Sequence, residues 1–167
     1  MRAEKQELRQ ALKKARLAMS GEEVHDKSLS ISEKLMGGVD WANIKYMHVY
    51  SAMSAWNEVQ TEPILEHVRQ EWPGIKITLP NSSVSQEPPK HQFDLIIVPC
   101  LGFDKNLHRL GLGAGFYDRF LADQTNTLKI GLCFAAGFVK SSLPREPHDV
   151  PLDKIITEEG IMEAHDS

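Results

Sequence analysis

Cysteine is scarce: only Cys100 and Cys133 occur in 167 residues. Two thiols cannot build a disulfide framework, so a reducing, cytoplasmic setting is expected. Basic residues are not in excess, with 19 Lys and Arg against 23 Asp and Glu and a net charge of −4. No general basic field therefore invites nucleic acid or an anionic membrane. Long apolar runs are lacking too. The most apolar stretches, residues 95–103 and 130–139, fall well short of the roughly 18 residues that a membrane span needs. The opening MRAEKQELRQ alternates charges where a secretory signal would carry an apolar core of about 7–15 residues. No nucleophile elbow G-x-S-x-G, no P-loop G-x-x-x-x-G-K-[ST] and no H-E-x-x-H occurs. Covalent nucleophilic catalysis and a zinc site are left without support. His25, His48, His67, His91, His108 and His165 show no ligand spacing, and both cysteines read as buried, inert thiols.

What is present belongs to a single domain spanning residues 1–167, with 41% hydrophobic and 25% charged residues. Leu8, Leu12, Ala15 and Met19 recur three or four apart over residues 4–19, one apolar face of a helix with Lys5, Arg9, Lys13, Lys14 and Arg16 outside it. Ser20 and Glu23 form a capping box ahead of a second stripe, Val24, Ser28, Ile31 and Leu35, which Gly37 and Gly38 stop. Residues 46–50 read as a strand. Pro63 opens a helix whose buried face is Ile64, Leu65, Val68 and Trp72, and residues 75–79 form the next strand. Residues 80–92, with Ser82, Ser83, Ser85, Pro88 and Pro89, read as a loop. Leu95-Ile96-Ile97-Val98 lacks alternation, as a strand covered on both faces does. After a ten-residue loop come a glycine-rich turn, a helix over 116–122, and strands at 128–134 and 154–157. This alternation predicts a layered α/β fold, a largely parallel sheet flanked by helices. Ligands of such sheets lie beyond the carboxyl ends of the strands, which singles out loops 51–61, 99–117 and 135–151.

The most informative segment is Arg109-Leu110-Gly111-Leu112-Gly113-Ala114-Gly115-Phe116-Tyr117-Asp118-Arg119. Alternate glycines let a backbone approach a ligand and turn its N–H groups towards one point, and a helix start and Arg109 add positive charge. A phosphate fits that description. Asp118 then makes sense if Mg²⁺ lies between it and the phosphate. The plainer alternative is a glycine turn capping a helix, with Asp118 paired to Arg119. The dinucleotide fingerprint is excluded, because Phe116 stands where its last glycine belongs, so the fold is Rossmann-like without that motif. Lys5 and Arg9, one turn apart, either reach phosphates or form a solvated face, which charge runs commonly do. Glu58 in a loop either accepts hydrogen bonds from a heterocycle or faces water. His148-Asp149 supplies a second metal carboxylate or merely a turn.

The runs D-L-I-I-V-P-C-L-G-F-D, R-L-G-L-G-A-G-F-Y-D-R-F-L, K-I-G-L-C-F and L-P-R-E-P-H-D-V-P-L-D-K-I-I-T-E resemble, in order, the 5-formyltetrahydrofolate cyclo-ligase family, also called methenyltetrahydrofolate synthetase. K-Q-E-L-R, Arg16 and N-E-V-Q-T match further landmarks, so the resemblance covers nearly the whole chain. It implies a layered α/β domain that uses ATP and Mg²⁺ to convert 5-formyltetrahydrofolate into 5,10-methenyltetrahydrofolate, releasing ADP and phosphate. By that resemblance Lys5, Arg9, Arg109, Leu110, Gly111, Gly113, Gly115, Phe116 and Tyr117 bind ATP. Met53, Glu58 and Tyr117 contact the folate, and Asp118 and Asp149 hold Mg²⁺. Arg109, Tyr117 and Asp118 are the candidate catalytic residues. The expected partners are small molecules only, and the expected assembly is a monomer or weak dimer. The chain departs from R-L-G-R-G-G-G-Y-Y-D at Leu112, Ala114 and Phe116. It has Gly137 near the place of a family glutamine, and its segment between Pro80 and Asp94 is shorter, with only Glu87-Pro88 recognisable. These departures keep open two alternatives: a non-catalytic nucleotide- or folate-binding relative, and an ATP-using enzyme acting on a smaller substrate.

Overall fold

A computed structural model describes residues 2–80, 89–113 and 115–164. Ala114, His165, Ser82, Ser83, Ser85 and the Glu87-Pro88 pair lie outside the described residues. The elements are α1 (Arg2–Leu17), α2 (Gly21–Gly38), β1 (Tyr46–Val49), α3 (Glu62–Glu71), β2 (Lys76–Thr78), β3 (Leu95–Pro99), β4 (Gly102–Phe103), β5 (Arg109–Leu110), α4 (Phe116–Ala122), β6 (Leu128–Leu132), β7 (Lys154–Thr157) and β8 (Gly160–Glu163).

The principal sheet runs β2-β1-β3-β6-β7-β8. Every pairing in it is parallel except that of β8 with β7. Strand β3 sits inside it, and Leu95, Ile96, Ile97 and Val98 are all fully buried, the reason for their unbroken apolar run. Alternation sorts the strands onto two cores. Met47, Val49, Leu95, Ile97, Ile130, Leu132 and Ile156 meet the apolar faces of α2 and α3. Ile96, Val98 and Ile155 meet Phe93, Phe103 and the Phe120-Leu121 pair of α4. Each such side chain contributes roughly 1.5–3 kcal/mol on full burial. The capping box of α2 forms as its sequence requires, with the Glu23 amide donating to Ser20 Oγ at 3.1 Å.

The chain leaves β1 for β2 on one side, then returns to β3 and moves the other way through β6 and β7. The direction reverses between β1 and β3, the place where doubly wound sheets bind ligands at their carboxyl edge. The loops after β1, β3 and β6 all open on that edge, and α1 lies across them.

Four expectations need correction. The loop after β3 contains an antiparallel hairpin, β4 with β5. The sheet gains an antiparallel edge strand, β8, whose half-buried alternation is too short to stand out in sequence. Trp72 is 36% exposed, because Pro73 ends α3 and leaves the indole at the cap rather than on the buried face. In α1 and just past it, Leu8, Leu12 and Met19 are half-buried and Ala15 exposed, whereas Lys5 and Arg16 are buried. A helix laid over loops meets carbonyls and carboxylates, so donors rather than alkyl groups face inwards.

Candidate functional site

The glycine-rich loop joins β5 to α4. Gly113 (φ 106°) and Gly115 (φ 74°) occupy the left-handed region that glycine enters freely, and Gly115 caps α4. At Gly111 a Cβ would stand 2.7 Å from the Arg109 guanidinium, so the backbone and that cation are in close contact. Arg109 Nη1 donates to the Pro99 carbonyl at 2.9 Å. Its guanidinium lies over the Tyr117 ring, 5.5 Å from the centroid. Among the described residues, Arg109 Nε and Tyr117 Oη are buried without a hydrogen-bond partner. Arg109 thus braces the loop and Tyr117 from beneath. The seven-residue α4 supplies only a short dipole, so most positive charge at the loop must come from side chains.

Helix α1 brings that charge. Arg9 Nε donates to the Gly111 carbonyl at 3.0 Å, and Nη1 to Gln6 Oε1 at 3.0 Å. The Lys5 ammonium, 11% exposed at its side chain, donates to Asp149 Oδ2 at 2.9 Å. The solvated-face reading of Lys5 and Arg9 is therefore set aside. Both point into the loops at the carboxyl edge.

Asp118, on the first turn of α4, meets His148 and Asp149 of the loop after β6, with one ligand atom from each lying within 4.8 Å of the others. They border a cleft of about 390 Å³. His148 Nε2 is 2.9 Å from Glu146 Oε2 and 3.8 Å from Asp149 Oδ1. Burial alone would raise the Asp149 carboxyl, but hydrogen bonds from the Glu146 amide (2.8 Å) and Lys5, with the Lys5 and His148 charges, hold it below its ordinary value. The donor set suits Mg²⁺: two carboxylates with room for phosphate oxygens and water, and the Lys5 ammonium already placed on Asp149 as a stand-in cation.

Opposite this group, the turn after β1 carries Met53 and Glu58. Met53 is 49% exposed, whereas Glu58 is 7% exposed with Oε1 accepting from the Met53 amide at 3.1 Å. Burial pushes the Glu58 carboxyl up; the Met53 amide and the Arg16 charge pull part of the way back. Tyr50 Oη donates to the Val59 carbonyl at 2.6 Å, and Thr61 Oγ1 to the Tyr50 carbonyl at 3.1 Å, so the turn is tied to the end of β1. The Tyr117 hydroxyl is pushed up by burial, drawn down by Arg109 and pushed up by Glu58, which places the two ends within electrostatic reach of each other. All the site residues expected from sequence thus collect along one edge, in two groups that meet at Tyr117.

Arg16, Asn57 and His148 are the contributors that sequence reasoning left without a role. The signal for Arg16 was its spacing, seven and eleven residues after Arg9 and Lys5, which keeps all three on one helix face. Of the departures, Leu112 is 40% exposed. The Phe116 ring packs edge-on against Tyr117 at 5.0 Å. At Gly137 a Cβ would lie 2.6 Å from Cys133 Sγ and 2.7 Å from the Leu101 carbonyl, so this backbone admits no side chain there. Burial pushes the Cys100 thiol up to about 12 and that of Cys133 up as well, in keeping with inert thiols.

A doubly wound, mostly parallel sheet flanked by helices, with a glycine loop, cations and a carboxylate pair at its carboxyl edge, defines a single layered α/β domain. Within that class the chain belongs to the 5-formyltetrahydrofolate cyclo-ligase family, whose model matches residues 1–80 and 70–158. It is 41% identical over 70 residues to the 5-formyltetrahydrofolate cyclo-ligase of Mycoplasma pneumoniae, a match spanning 41% of this chain and 42% of that protein. A match to the mouse protein of the same name is 26% identical over 194 residues and covers 93% of this chain and 94% of that one. Among solved structures, a 5,10-methenyltetrahydrofolate synthetase from Mycoplasma pneumoniae superposes with a TM-score of 0.79 at 27% identity, covering 92% of this chain and 98% of that one. The Aquifex aeolicus 5,10-methenyltetrahydrofolate synthetase gives 0.80 at 25% identity, covering 98% and 94%. Among the described residues no helix is long and apolar enough to cross a membrane.

Proposed function

We propose that the protein is an ATP- and Mg²⁺-dependent ligase of folate one-carbon metabolism that cyclises 5-formyltetrahydrofolate to 5,10-methenyltetrahydrofolate, releasing ADP and phosphate. The observation that carries this reading is the convergence of Lys5, Arg9, the glycine loop, Asp118 and Asp149 on one side of Tyr117, with buried Glu58 on the other. The formyl oxygen attacks the γ-phosphorus and ADP leaves. N10 then attacks the formyl carbon and gives up its proton, and the former formyl oxygen departs within phosphate. Such a route asks the protein for positioning and charge neutralisation rather than a nucleophile. Lys5 and Arg9 bind phosphate oxygens, and Gly111, Gly113 and Gly115 let the backbone come close, flanked by Leu110 and Phe116. Arg109 holds Tyr117 in place. Asp118 and Asp149 hold Mg²⁺, which neutralises phosphate charge when bound. Glu58 accepts hydrogen bonds from the pterin N–H groups, with Met53 and Tyr117 against the ring system. The protein acts in the cytoplasm on small molecules, as one domain over residues 1–167 and as a monomer or weak dimer.

The test is absorbance of purified protein with 5-formyltetrahydrofolate, ATP and Mg²⁺, following the methenyl chromophore. A rise that requires all three is expected. A flat trace from folded protein overturns the reading in favour of a binding relative, or of an ATP-using enzyme on a smaller substrate if ATP is still consumed.

A further inference from the structure

The carboxyl end of α1 and the turn after β1 are clasped by three hydrogen bonds. Arg16 Nε donates to the Trp56 carbonyl at 2.7 Å. Asn57 Nδ2 donates back to the carbonyls of Arg16 and Met19, at 3.0 and 3.1 Å. Asn57 sits in the left-handed region (φ 51°, ψ 39°), which asparagine tolerates better than most side chains. Its amide thereby joins the Met19 amide on the Arg16 carbonyl and also supplies a donor to the Met19 carbonyl just past α1. The tip of the turn is fixed from both directions, and the next residue is Glu58.

A buried carboxylate is costly unless charge and hydrogen bonds offset the lost water. The Met53 amide supplies the hydrogen bond to Glu58. Arg16, itself 9% exposed, supplies the opposing charge. Tyr50, Tyr117 and Cys100 are within electrostatic reach of this group, and burial keeps all three neutral near physiological pH. Arg109 stands beyond the Tyr117 ring.

We infer that Arg16 is the positioning residue of the folate end: its guanidinium pins the 53–58 turn to α1 through the Trp56 carbonyl and brings a positive charge to that turn, so that the Glu58 carboxylate is held in place for the N–H groups of a heterocyclic ligand. Asn57 completes the clasp from the other side. The inference rests on the reading of Glu58 as the pterin-binding carboxylate.

The experiment is calorimetric binding of 5-formyltetrahydrofolate to the full chain without ATP, across the acid side of neutrality, for wild type, Arg16→Met, Arg16→Lys, Asn57→Ala and Glu58→Gln. Arg16→Met is expected to weaken binding about tenfold or more. Its affinity is also lost at higher pH than in wild type, because Glu58 without the opposing charge takes up its proton sooner. Arg16→Lys keeps the charge but not the planar donor, and Asn57→Ala keeps Arg16. Both are expected to weaken binding with the acid limb near its wild-type position. A wild-type affinity in Arg16→Met, or a loss uniform across pH, overturns the inference. If Arg16→Met does not fold, wild-type affinity in both Arg16→Lys and Asn57→Ala overturns it. Unchanged affinity in Glu58→Gln sinks the reading of Glu58 itself, whereas a weak Glu58→Gln beside an unaffected Arg16→Met sinks the Arg16 role alone.

Discussion

The two ends of the proposed site are built on different principles. At the proposed nucleotide end, charged side chains hold partners across loops: Lys5 pairs with Asp149, and Arg9 donates to the Gly111 carbonyl. In the proposed function these partners are exchanged: phosphates take Lys5 and Arg9, and a cation takes Asp149. At the proposed folate end, Glu58 is buried and the turn around it is fixed by hydrogen bonds to backbone carbonyls. A site for a highly charged ligand holds its charges ready by letting them neutralise each other meanwhile. A site for a flat heterocycle gains more from a carboxylate locked in place before binding.

The contrast breaks first at Asp118. If it helps hold the metal, Asp118→Asn cuts turnover by about 100-fold or more, in line with losing a charge-stabilising group at a reacting phosphoryl. Its half-buried place at the cleft leaves the melting temperature close to wild type. Steady-state kinetics at limiting and saturating Mg²⁺ decide it, and equal rates in both would remove Asp118 from the site. At the other end, Glu58→Gln keeps the shape and removes the charge. The folate KM is expected to rise about tenfold, with the ATP KM within about twofold. A parallel rise in both would mean that the two ends do not act separately.

The two ends also differ in how openly the sequence states them. The glycine spacing, Asp118 and the helix over 116–122 are contiguous, so local pattern places them, and α4 falls where it is expected. The unbroken apolar run of β3 announces a central strand, and the alternation of elements announces a parallel sheet. Lys5 and Arg16 were obscure because burial of cations contradicts the usual reading of an amphipathic helix. Only the polar loops beneath α1, separated from it by up to 144 residues, make them the inward face. Edge strand β8 and the two-residue strands β4 and β5 are too short for periodicity to register.

The proposed nucleotide end makes a smaller, pH-dependent contribution to stability. Because Asp149 is held below its ordinary 3.8 in the folded protein, its contribution is present above the unfolded value and is lost as pH falls through the lowered folded one. Asp149→Asn is expected to cost about 1 kcal/mol or less near neutrality, as for a partly solvated pair. The gap to wild type should close on strong acidification, and thermal melts at neutral and strongly acidic pH measure it. A gap that persists in acid would assign the cost to something other than the Lys5 pair and the Glu146 amide.

The smallest effect sharpens the contrast by repairing one departure and not the other. Leu112 lies between Gly111 and Gly113 with 40% of its surface exposed, so Leu112→Arg disturbs no core. A mobile guanidinium near the phosphates in a solvated cleft gains about 1 kcal/mol or less, so the ATP KM falls a few-fold at low salt while the folate KM stays put. The same logic fails at Gly137, where the Cβ alone would collide with Cys133 Sγ and the Leu101 carbonyl. Gly137→Gln should therefore lower stability rather than restore a polar contact. An ATP KM unmoved by Leu112→Arg would mean that Lys5 and Arg9 already satisfy the phosphate charge, and that the exposed end tolerates loss of a cation because its charges are exchangeable.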